Sequence, residues 1–146
     1  MVSQLSPQHL AELCKGQWYQ DKIPSARFTA AQIDSRLMES NQLFIALEGK
    51  QTDGHRFIAN LAPEQQQAAV VEKPAPQAHA AQLCVASSLR ALQVLSGEIS
   101  SRTTAMKFAL TGSVGKTGTK DMLVRMLTNF GSTHATKGNY LSLIHI

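Results

Sequence analysis

Two cysteines, one tryptophan and two tyrosines are a thin supply for a chain of 146 residues. Cys14 and Cys84 stand far apart with no Cys-x-x-Cys or histidine spacing around them, so neither a disulfide framework nor a zinc site has support. Both read as buried thiols. Charge is sparse as well: Asp, Glu, Lys and Arg make up 16% of the chain. Fourteen basic against ten acidic residues leave a formal charge of +4, but the basic residues are scattered and few aromatics accompany them. That pattern argues against a nucleic-acid surface and suits a small anionic substrate. Long apolar runs are absent too. None reaches the ~18 residues of a membrane span, and the start MVSQLSPQHL lacks the basic-then-apolar order of a signal peptide. Cytoplasmic residence without membrane insertion is the expectation. No internal repeat or low-complexity tract interrupts the chain.

What remains is 43% hydrophobic, enough for one ordinary core or two small ones. Ser6-Pro7 predicts a helix cap followed by proline at the first helical position, with Leu10, Leu13 and Cys14 as an apolar stripe ending before Gly16. Phe28–Ile33 and Leu43–Leu47 read as neighbouring strands, and Ala68–Val71 as another. Asp53-Gly54 punctuates the chain ahead of Phe57, Ile58 and Leu61 at helical spacing. Residues 72–81 hold two prolines and four alanines and read as a domain linker. Beyond it, Leu83–Ala86 predicts a strand, and Ser87 or Ser88 a cap for a helix with Leu89, Leu92, Leu95 and Ile99 on one face. The fold class is therefore α/β: a small domain over residues 1–75, then the start of a parallel-sheet domain over 82–140.

The second half carries the chemistry. An apolar run, Met106–Leu110, predicts a strand. The loop TGSVGKTGT follows, and then a helix pattern with Met122, Leu123, Met126, Leu127 and Phe130 on one face before Gly131. Strand, glycine loop and helix is the order of a phosphate-binding loop. Gly112 and Gly115 let the backbone turn its amides inward, with Ser113, Val114 and Gly118 completing the cradle ahead of a positive helix end. Lys116 supplies a movable cation for β and γ phosphates, and the hydroxyl of Thr117 is placed for Mg2+. The widespread Gly-x-x-x-x-Gly-Lys-Ser/Thr form would need glycine at position 110, where this chain has Leu110. The bland alternative is a turn at Gly115-Lys116-Thr117 leading into an ordinary helix.

Thr111–Thr117 resembles the Thr-Gly-x-x-Gly-Lys-Thr/Ser loop of the Mur ligases and of the related folylpolyglutamate synthases, which lack that upstream glycine. Asp34-Ser35-Arg36, then residues 43–49, then Asp53-Gly54-His55-Arg56-Phe57-Ile58 resemble the nucleotide-sugar domain of the ligases that add the third and last peptide units. Ser35 can donate a hydrogen bond and Arg36 a fork to a UDP phosphate; their alternatives are a strand-end cap and a solvated salt bridge. His55 reads as structural. Residues 133–140, ending in Gly138-Asn139-Tyr140, resemble the D-alanyl-D-alanine-adding branch, with Asn139 as a further UDP-sugar candidate. Residues 141–146 depart from that pattern and read as a non-native tail.

The resemblance implies a UDP-sugar-binding domain at 1–75 and the start of an ATPase domain at 82–140, within a longer three-domain enzyme that is monomeric at full length. It implies ATP and Mg2+ as cofactors, and UDP-N-acetylmuramoyl-peptide and D-alanyl-D-alanine as partners. It also implies amide-bond formation through an acyl phosphate, with Lys116 catalytic, downstream residues absent and the chain by itself inactive. Two alternatives stand beside this reading: a non-catalytic nucleotide- or UDP-sugar-binding module, and the neighbouring ligase that adds the third amino acid.

Overall fold

The structure, a computed structural model, describes residues 4–49 and 52–136. The chain divides into two compact units, Met1–Arg102 and Thr103–Ile146.

The first unit is built on a five-stranded sheet. Its strands are β1 (Gln17–Trp18), β2 (Ala30–Gln32), β3 (Gln42–Ile45), β4 (Ala68–Val71) and β5 (Ala81–Cys84), in spatial order β1-β5-β4-β3-β2. β2 to β5 run parallel in sequence order, and β1 closes one edge antiparallel to β5. The neighbouring strands read at 28–33 and 43–47 are β2 and β3, trimmed at their ends. Every residue of β3 and β4 is buried, the mark of strands covered on both faces. Alternation sends Phe44, Ala46, Ala69 and Val71 to one face, where Ile58, Leu61, Ala78 and Ala80 meet them. Helices α1 (Pro7–Cys14) and α2 (Ser88–Arg102) pack on each other, and Leu10 and Leu95 are buried with Leu43 on the opposite face.

The caps follow the expected local chemistry. Ser6 accepts from the His9 amide at 3.2 Å, and Pro7 opens α1. The Ser87 hydroxyl accepts from the Arg90 amide at the head of α2. The apolar face of α2 differs from the expected one: Leu92 and Leu95 are buried with Ser88 and Ala91, while Leu89 is exposed. A spacing of three residues slips back by about 60° per step on a 3.6-residue turn, so Leu89 has rotated off the face that Leu95 occupies. The two thiols are half-buried, and burial raises Cys14 to about 11.

The boundary expected at 72–81 is corrected. β5 pairs along its whole length with β4, and α2 packs back on α1, so both belong to the first unit, which ends at Arg102. The Pro/Ala segment is the crossover between two adjacent parallel strands. Two of its alanines, Ala78 and Ala80, are buried in the core cluster on one face of the sheet. Gln82 pins the segment from β5, accepting from the Ala75 amide at 2.8 Å and donating to the Ala75 carbonyl at 2.9 Å.

In the second unit, α3 (Lys116–Leu127) forms as expected. The strand expected at Met106–Leu110 does not: these residues pair with no strand among those described. A strand exists only as part of a ladder, and the described part of this unit offers no second strand to complete one. Met106, Phe108, Met122, Met126 and Phe130 are correspondingly exposed.

Candidate functional site

The glycine loop takes its form from two backbone conformations that side chains resist. Gly112 has φ 146° and Gly115 has φ 82°, ψ −4°, and Gly115 is the residue that caps α3. α3 then starts at Lys116, so the amides from Lys116 to Gly118 lie in its first turn, at the positive end of the helix dipole. The Lys116 ammonium folds back over the loop and donates to the Gly112 carbonyl. Thr117 stands in the same first turn. The loop thus gathers a cation, a hydroxyl and a helix N-terminus within Gly112–Gly118, with Ser113 and Val114 exposed between the two glycines. Lys120, one turn on, is directed elsewhere and donates to the Thr136 carbonyl at 2.8 Å.

A second set of polar residues lies at the carboxyl ends of the parallel strands, the edge at which open α/β sheets hold ligands. After β2, Asp34 caps a 3₁₀ turn at Ser35–Leu37, accepting from the Arg36 amide at 3.1 Å. The Arg36 guanidinium bends onto the same carboxylate, Nε to Oδ1 at 2.9 Å and Nη2 to Oδ2 at 2.7 Å. This bidentate pair, together with the amide bond, lowers Asp34 to about 2. Arg36 remains 85% exposed. The fork expected to face a phosphate is therefore held by its own neighbour, while Ser35 is half-buried on the turn.

After β3, Glu48 and Asp53 form an isolated antiparallel bridge, with the Gly49 amide donating to the Thr52 carbonyl at 2.9 Å. Gly54 follows because nothing larger fits: a Cβ there would lie 2.8 Å from the Leu47 nitrogen and 2.9 Å from its oxygen. Asp53 caps the 3₁₀ segment Gly54–Asn60 through the His55 amide. The 3₁₀ segments at Ser35–Leu37 and Gly54–Asn60 are in contact, so the turn bearing Ser35 rests on this one.

A profile of the Mur ligase family, catalytic domain, matches residues 27–127. The chain belongs to the Mur ligase family. Among its relatives is the UDP-N-acetylmuramoyl-tripeptide--D-alanyl-D-alanine ligase of Synechocystis sp., 37% identical over 109 residues, which cover 73% of this chain and 24% of that protein. The fold is similar to that of MurF from Acinetobacter baumannii, with a TM-score of 0.81 and 37% identity over 94% of this chain and 30% of the solved one. MurF ligase from Thermotoga maritima, solved in complex with ADP, superposes with a TM-score of 0.62 and 29% identity over 80% of this chain and 29% of that one. The chain thus spans about a quarter to three tenths of the length of these Mur ligases.

Set against this Mur ligase fold, the expected site residues fall into three groups. Gly112, Ser113, Val114, Gly115, Lys116, Thr117 and Gly118 are one continuous loop and helix start. Ser35 and Arg36 share one turn at the carboxyl edge of the first unit's sheet. Asn139 and the 141–146 tail lie outside the described residues. Sequence reasoning missed Glu72, whose Oε1 accepts from the Ser88 amide at 2.8 Å at the head of α2. It reads as part of a linker because its partner is distant in sequence. Among the described residues, no group of three or more His, Cys, Asp or Glu is placed to hold a metal ion. No helix among them is long and apolar enough to cross a membrane.

Proposed function

We propose that this chain is the front part of an ATP-dependent ligase of peptidoglycan precursor synthesis that joins D-alanyl-D-alanine to UDP-N-acetylmuramoyl-tripeptide. The carrying observation is the Gly112–Gly118 loop: two glycines in the left-handed half of backbone space, a lysine folded over them and a helix N-terminus, in a chain related to UDP-N-acetylmuramoyl-tripeptide--D-alanyl-D-alanine ligases. In this reading the first unit receives the UDP-sugar at the carboxyl edge of its sheet, with Ser35 donating to it. Arg36 reaches a phosphate only by exchanging Asp34 for it. Asn139 is a further contact. The second unit holds the ATP phosphates. The protein works in the cytoplasm, on soluble substrates, as a monomer at full length.

The loop's donors fit this task. Lys116 is carried on a flexible four-carbon stem, so rotation moves its ammonium from the Gly112 carbonyl to a γ-phosphate oxygen. The amides of Lys116 to Gly118 point to where a polyphosphate oxygen would lie. The Thr117 hydroxyl is a hard oxygen donor of the kind Mg2+ accepts, with phosphates and waters completing its shell. Bound there, Mg2+ would offset phosphate charge. A carboxylate oxygen of the tripeptide attacks the γ-phosphorus, the bond to the β-phosphate oxygen breaks, and ADP leaves. The amine of D-alanyl-D-alanine then attacks the acyl carbon, loses a proton and expels phosphate. Lys116 and the loop amides stabilise charge in the first of these steps, while the groups that handle the amine lie beyond this chain.

In a full-length ligase carrying this sequence, Lys116→Ala should lower kcat by on the order of 10²-fold or more while weakening nucleotide binding less. Steady-state phosphate release with both UDP-N-acetylmuramoyl-tripeptide and D-alanyl-D-alanine measures it. Near-normal kcat in the variant would remove the loop from the chemistry. Turnover with a diamino acid and the UDP-muramoyl-dipeptide would instead assign the protein to the neighbouring branch.

A further inference from the structure

The Asp53-Gly54-His55 segment holds more than a turn. His55 is only 16% exposed and uses both ring nitrogens. Its Nε2 lies 3.1 Å from the Glu72 amide, which can only donate, so Nε2 is unprotonated and the ring proton sits on Nδ1. Nδ1 donates in turn to Asp53 Oδ1 at 2.6 Å. That same oxygen accepts from the His55 backbone amide at 2.9 Å. From Glu72 the connection continues, since its carboxylate holds the Ser88 amide at the first turn of α2. One imidazole therefore ties the bridge after β3 to the residue that follows β4, and Glu72 ties that residue to the head of α2.

We infer that His55 is a positioning residue for the UDP-sugar site, a strut that sets the Glu48–Asp53 bridge and the 3₁₀ segment against the carboxyl edge of the sheet. The segment Gly54–Asn60, in whose first turn it lies, supports the turn bearing Ser35, so a shift at His55 is passed to the edge where the sugar nucleotide would lie. Without the strut, Asp53 keeps its backbone cap but the Glu72 amide loses its acceptor, and the two strand ends are no longer held at a fixed separation. The inference rests on the UDP-sugar reading above, and His55 touches no substrate in it.

Three variants separate the two ends of the strut. His55→Asn keeps a donor near the Nδ1 position for Asp53, His55→Gln keeps an acceptor near the Nε2 position for Glu72, and His55→Ala keeps neither. Titrating the 146-residue chain calorimetrically with UDP-N-acetylmuramoyl-tripeptide should give a Kd about tenfold weaker for His55→Ala, on the scale of a lost positioning contact. Asn and Gln should fall between Ala and the parent, and amide exchange at Glu72 should quicken in Ala and Asn but not in Gln. Unchanged binding by His55→Ala overturns the inference. Equal losses in all three variants, in step with equal losses of Tm, also overturn it, because His55 would then serve stability alone. No binding by the parent chain would instead sink the UDP-sugar reading on which the inference stands.

Discussion

Asp34 and Arg36 show how far a residue's chemistry depends on what stands two positions away. Arg36 is legible in the sequence as a fork suited to a phosphate, but its bidentate pair with Asp34 depends on the backbone turning at Ser35, which composition does not reveal. The pair has a measurable signature. The Arg36 side chain first, and then its amide, hold the Asp34 carboxyl down to about 2 in the folded chain, below the ordinary carboxylate value. A lowered folded pKa means that the pair's contribution is complete above about pH 4 and is lost as the pH falls through about 2. Carboxyl-carbon NMR should follow that midpoint, and Arg36→Ala should move it up towards the ordinary range. An unmoved midpoint would mean that the pair does not persist in solution. The glycine loop was legible for the opposite reason. Gly112 and Gly115 impose their conformations locally, and Lys116 reaches its partner within the same turn of chain, so sequence order alone brings the parts together.

At the scale of elements, strands β3 and β4 were read almost to the residue because both are short apolar runs covered on both faces. The crossover at 72–80 was misread for a physical reason. Alanine carries little hydrophobic signal, yet Ala78 and Ala80 are buried in the cluster that holds Phe44 and Ile58. The segment's second anchor is a glutamine, which no hydrophobic pattern would single out. Gln82 is 2% exposed and satisfies both the amide and the carbonyl of Ala75. Gln82→Ala should leave the Ala75 amide without a partner and its carbonyl with the Ala78 amide alone, and cost about 1–3 kcal/mol, with chemical denaturation as the measure. A loss within a few tenths of a kcal/mol would show that water replaces the amide there. The expected strand at 106–110 failed on the same principle from the other side: a run can carry strand propensity and still form no strand when no ladder receives it.

On the scale of the whole molecule, the division after Arg102 gives a direct test. Residues 103–109 are exposed and outside any helix or strand, and they include Lys107, whereas Lys73 in the 72–80 crossover is followed by Pro74, which blocks trypsin. A protease without that restriction, such as thermolysin, makes the fairer comparison. Its first cuts should fall between 103 and 115 and leave a resistant N-terminal fragment, since crossover backbone held by Gln82 and buried alanines opens less readily than exposed chain outside any helix or strand. First cuts within 72–80 would restore the boundary expected from composition. The sheet of the first unit has a consequence of another kind. β2 to β5 pair in the order in which they occur, so each new strand finds its neighbour already made, but β1 must wait for β5, the last to appear. That pairing closes the longest loop in the sheet and is the slowest to assemble by chance encounter. The chain's single tryptophan sits on β1, opposite Leu83, with its indole N–H held by the Pro7 carbonyl. Trp18 is thus an inbuilt optical marker of the moment at which the refolding sheet is sealed.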